Sequence, residues 1–83
     1  MTNLQKQMIK KIAENEYSQI NGKVPSNLDD IGEIWADVII DTPEDKGVFT
    51  SLLKDGYVFH TGPKDPDAGC GLTEKGFQEY LNF

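Results

Sequence analysis

His60 is the chain's only histidine and Cys70 its only cysteine. Both side chains bind metals, and thiol–imidazole pairs also serve nucleophilic catalysis. Asp65 and Asp67 lie between them and add two carboxylates. A structural zinc site takes four protein ligands, and one sulfur with one imidazole falls short of the usual set. A cysteine nucleophile needs a base that a third group holds in place, and nothing in the spacing supplies that group. The stretch PKDPDAG lacks the spacing and terminal glutamate of a calcium loop. The remaining carboxylates sit where helix faces are ordinarily solvated. We therefore expect no enzyme, no catalytic residue, no metal and no cofactor. What the chain does, it does by binding.

The 83 residues are enough for one domain spanning 1–83. A single cysteine excludes an intrachain disulfide, so the core must be apolar. The composition allows this, with 37% apolar residues and eight aromatics. No apolar run approaches the ~20 residues that cross a bilayer, so no membrane association is expected. A lone thiol and a polar, lysine-bearing start without a secretory leader point to the cytoplasm.

The elements follow from caps and periodicity. Thr2 with Gln5 has the form of a capping box, and Leu4, Met8, Ile12, Ala13, Tyr17 and Ile20 recur at helical steps. Asn21-Gly22 ends this first helix. Val24-Pro25 is extended, because proline restricts the residue before it. Ser26 or Asn27 caps a second helix that turns Leu28, Ile31, Trp35, Val38 and Ile39 inward. Its outer face carries Asp29, Asp30, Glu33 and Asp37, and Gly32 weakens its middle by roughly 1 kcal/mol. Thr42 at the cap, Pro43 at the first position and Glu44 and Asp45 behind it start a third helix. That helix turns Val48, Phe49, Leu52 and Leu53 inward and stops at Gly56. Tyr57–Thr61 is rich in strand formers, 62–69 is a polar hairpin tip, and 70–72 returns. Thr73 caps a last helix that docks Phe77, Tyr80 and Leu81. The fold class is α+β.

The runs SLLKDGYV and GLTEKGFQEYL, separated by a hairpin, resemble the winged helix-turn-helix family of bacterial transcription regulators. There the third helix ends in a leucine, two polar residues and a glycine, as at Leu53, Lys54, Asp55 and Gly56. The second wing strand ends in Leu-Thr-x-x-Gly, as at Leu72, Thr73 and Gly76. The chain also looks similar to small proteins of bacteria and their phages. The resemblance implies a three-helix core, a small β-hairpin wing and a short C-terminal helix. It further implies duplex DNA as partner, with the third helix in the major groove. Lys46, Thr50, Ser51 and Lys54 on that helix, and Lys64 in the wing, are then the candidate nucleic-acid contacts.

Charge points elsewhere. Net charge is -6, and residues 24–83 hold four lysines against twelve acids. From Asn27 through Asp45 there are seven acids and no lysine, and the chain has no arginine. DNA presents one negative charge per ~1.7 Å of axis, which opposes such a surface. The alternative is an acidic protein-interaction module, with Asp29, Asp30, Glu33, Asp37, Glu44 and Asp45 as the protein-binding candidates. A homodimer through the first helix or the Phe83 end is a third expectation. The family pattern places DNA ahead of protein, since net charge constrains local patches only loosely.

Overall fold

A computed structural model describes residues 1–15, 27–62 and 68–83. The expected extended Val24-Pro25, the inward Tyr17 and Ile20, and Lys64 in the hairpin tip lie outside the described residues. Within them the order is α1 (Asn3–Ala13), a 3-10 turn (Leu28–Asp30), β1 (Ile34–Trp35), α2 (Ala36–Ile39), α3 (Pro43–Lys54), β2 (Val58–His60), β3 (Gly69–Leu72) and α4 (Glu74–Leu81). The strands form one antiparallel sheet in the order β1-β3-β2. The architecture is α+β, as expected.

Local chemistry sets the helix ends. The Thr2 hydroxyl accepts from the Gln5 amide at 3.2 Å, and the Gln5 side chain accepts from the Thr2 amide at 2.9 Å. The same reciprocal box opens α3, where Thr42 accepts from the Asp45 amide and Asp45 accepts from the Thr42 amide. Asp45 Oδ2 also accepts from the Asp41 amide, which fixes the chain entering the helix. At the far end the Tyr57 amide reaches Leu52 O and the Gly56 amide reaches Leu53 O. That pair of bonds is a Schellman stop, and it holds Gly56 at φ +81°.

The second helix differs from expectation. The spacing of Leu28, Ile31, Trp35, Val38 and Ile39 fits a helical period, yet only 28–30 and 36–39 are helical. Between them Ile34 pairs with Cys70 and Trp35 with Gly69 across the sheet. Strand pairing imposes a period of two, so Ile34 and Ala36 turn inward and Trp35 turns out. Trp35 is 52% exposed and Val38 48%, where both were expected in the core. Gly32 lies at the break. Asn15 secures the new path: its Nδ2 donates to Ile12 O at 2.6 Å and to Gly32 O at 2.7 Å.

The core lies between the sheet and the helices. Met8, Ile9, Ile12 and Ala13 of α1 meet Ile39, Phe49, Leu52, Val58, Cys70, Leu72, Phe77 and Tyr80. One face of the sheet therefore carries Ile34, Val58, Cys70 and Leu72 into the core. The opposite face carries Trp35 and Phe59, paired with Gly69 and Gly71.

Two glycines make the packing testable. A Cβ on Gly76 would overlap the Tyr57 carbonyl oxygen, because α4 starts directly against that backbone. Gly47, in the middle of α3, has open space around it. Gly76→Ala is expected to lose about 3 kcal/mol or more in urea unfolding, since backbone cannot move aside as a side chain can. Gly47→Ala is expected to gain about 0.5–1 kcal/mol from helix propensity. A neutral Gly76→Ala contradicts the close approach.

Candidate functional site

The sequence candidates fall into three groups once placed on the fold. Lys46, Thr50 and Lys54 recur every fourth residue along α3 and are all exposed, so they form one stripe. No acid lies between Lys46 and Lys54. Ser51 is turned away from this stripe. It is half-buried, its hydroxyl donates to Val48 O at 2.8 Å, and it accepts from Gln5 Nε2 at 3.1 Å. Its placement joins α1 to α3.

The acids divide as well. Asp45 is half-buried and engaged at the α3 cap, while Glu44 stands exposed beside it in the first turn. Both complement the positive end of the helix. Asp29, Glu33 and Asp37 are exposed, and Asp30 is partly covered. Asp29 and Glu33 border a cleft of about 310 Å³ with Leu28, Ile31, Phe59 and Gly71. Sequence reasoning missed this cleft, because it forms only when the 28–33 segment folds over the outward sheet face. Lys11 and Asp45 both line a smaller groove of about 140 Å³ between α1 and α3, beside Leu4 and Val48.

His60 and Cys70 do face each other across β2 and β3. Their surroundings are those of a core. The His60 ring packs edge-on against Phe49 with centroids 5.7 Å apart. Cys70 is fully buried, and burial, followed by the negative charge of Glu33, pushes its thiol up to about 11. A thiol held protonated is a poor nucleophile and a poor ligand. Among the described residues no group of three or more metal-ligating side chains assembles.

Asn15, which the sequence does not single out, and Tyr80, expected only to dock, bind α1 to the rest. The Tyr80 hydroxyl donates to Glu14 Oε2 at 2.9 Å, tying α4 to the end of α1. Burial first, then the hydrogen bond and charge of Glu14, raise the Tyr80 pKa above its ordinary value. The apolar spacing of α4 signals that Tyr80 is inward. Nothing in the sequence signals its partner, which lies 66 residues away.

Comparison with known protein families, curated proteins and solved structures finds no match. Among the described residues no helix is long and apolar enough to cross a membrane.

The buried thiol predicts a pH dependence. In the unfolded chain it loses its proton near 9.0, while the folded chain keeps it to about 11. Between those values the folded state holds more protons, so stability is intact below pH 9 and falls as pH rises toward 11. Two pKa units at ~1.4 kcal/mol each set the full loss at about 3 kcal/mol. Tyr80, also raised, acts in the same direction. Urea midpoints at rising pH should show this fall, and Cys70→Val should make it shallower.

Proposed function

We propose that this chain is a winged helix-turn-helix module that binds duplex DNA through α3. The element order supports the reading. α2 and α3 are joined by the three residues 40–42, and β2 and β3 follow as a hairpin whose return strand also pairs with β1. Short helix–turn–helix connections of this length place the second helix for groove entry. The observation that carries the reading is the stripe Lys46, Thr50, Lys54, exposed, in one line and free of acids over its length. Gly47 beside it leaves that face without a bulky side chain, so the backbone can approach closely.

Lysines here act as point charges toward phosphates, and Thr50 offers a hydroxyl to either phosphate or base. Lys75 adds a further positive charge at the end of α3, where its Nζ donates to Asp55 O at 2.8 Å. Asp45 is engaged in the helix cap, where the helix N-terminus partly offsets its charge. With few phosphate contacts, the binding is weak and strongly dependent on salt. Regulation of transcription in a bacterium or its phage is the process in which such a module would act.

Duplex binding measured by fluorescence anisotropy at low salt tests the proposal. Lys46→Glu and Lys54→Glu should each weaken binding about tenfold or more. Each should also make the salt slope shallower by about one. Ser51→Ala should change binding little, because its hydroxyl is committed to Val48 and Gln5. No duplex binding at low ionic strength overturns the proposal.

A further inference from the structure

The outward sheet face differs from an ordinary solvated sheet. Its central strand β3 presents Gly69 and Gly71 there, so the middle of the sheet carries no side chain of its own. Each glycine is overlooked by a neighbour. An ideal Cβ on Gly71 would lie 2.7 Å from the Phe59 ring, and one on Gly69 would lie 3.2 Å from Glu33 Oε2. Phe59 therefore leans inward from one edge and Glu33 from the other. Leu28 and Ile31 close the end, leaving the cleft of about 310 Å³ with Asp29 at its rim. Among the described residues neither the Asp29 nor the Glu33 carboxylate has a hydrogen-bond or ion-pair partner.

An aromatic wall, aliphatic end walls and two unpaired carboxylates over a flat floor define a narrow class of occupant. It must be long, planar at its tip and cationic. We infer that this cleft docks an arginine side chain carried on a basic segment of a partner protein. The guanidinium stacks on the Phe59 ring while its fork of donors meets the Glu33 carboxylate, with Asp29 reinforcing the charge. The stem lies against Ile31 and Leu28. Charge complementarity extends beyond the cleft, since Asn27 through Asp45 holds seven acids and no lysine. A second copy of this chain cannot supply the group, because the sequence contains no arginine. The surface is separate from the α3 stripe, so the inference stands or falls independently of DNA binding.

The test is a titration of the full chain, followed by amide NMR shifts, with the peptide acetyl-Ala-Arg-Ala-Arg-Ala-amide. A lysine version of the peptide is the control. The arginine peptide should give saturable shifts centred on Ile31, Glu33, Phe59 and Gly71. The lysine peptide should bind about threefold weaker or worse, having no planar fork to stack or pair. Glu33→Gln should weaken arginine-peptide binding about fivefold or more. Asp29→Asn provides a second variant at the rim and should weaken it as well. Unchanged spectra elsewhere would show that both variants fold. Four results overturn the inference. They are shifts spread evenly over all acidic residues, equal affinity for the two peptides, indifference to Glu33→Gln, and peptide-free shifts at the cleft that grow with protein concentration.

Discussion

The junction at Gly56, Tyr57, Thr73 and Gly76 is the constraint on which the other elements depend. Here α3 ends, β2 begins, β3 ends and α4 begins, all within one set of contacts. The Thr73 hydroxyl donates to Gly56 O at 2.6 Å and accepts from the Gly76 amide at 3.1 Å. The Thr73 amide reaches Tyr57 O at 3.1 Å. Gly56 must occupy a left-handed conformation for the chain to turn there, and Gly76 must lack a side chain for α4 to approach. Lys75 closes the junction from outside, with its Nζ on Asp55 O and 4.6 Å from the Tyr57 ring centroid. Because one threonine serves both helices, the angle between α3 and the hairpin is set by a few short bonds.

Charge is segregated on this frame, and that segregation matters more than the net value. The acids gather from Asn27 through Asp45, around the outward sheet face and the start of α3. The lysines of α1 and of the α3 stripe lie elsewhere in the chain, and both groups are exposed. A net charge of -6 describes neither region. Fields from exposed charges decay over a Debye length of ~8 Å at physiological salt, so two faces of a small domain can present opposite signs to two partners. The acids do not cancel the stripe. They lower its reach, because exposed charges of opposite sign within a Debye length partly offset one another.

Much of the fold was legible because it is locally determined. Thr2 with Gln5, Thr42 with Pro43 and Asp45, Gly56, and Thr73 with Gly76 each mark an element end through contacts within a few residues. The structure places every one of them as the sequence suggests. The second helix was misread because its evidence was periodicity alone. Leu28, Ile31, Trp35 and Val38 fit a helix, but Ile34 and Trp35 gain more from pairing with Cys70 and Gly69. Tertiary pairing overrode a helical pattern already weakened by Gly32. The candidate surface was legible only in part for the same kind of reason. Lys46, Thr50 and Lys54 could be placed from helix phase, whereas the commitment of Ser51 to Gln5 depends on how α1 crosses α3. Asn15, the Tyr80–Glu14 bond and the Phe59 cleft were hidden because each depends on segments distant in sequence.

The glycines of β3 show why a residue that builds nothing by itself can define a surface. In a sheet of this size a central strand would gain stability from branched side chains on both faces. Cys70 and Leu72 supply that on the inward face, where they are buried. Gly69 and Gly71 forgo it on the other. At Gly71 a folding reason is available, since the Phe59 ring covers the gap and recovers part of the lost apolar contact. At Gly69 the covering group is a carboxylate, which gains nothing from lying over bare backbone. Packing alone therefore accounts for one glycine and leaves the other. The position of Glu33 makes sense if its charge is meant for something that enters the cleft from outside.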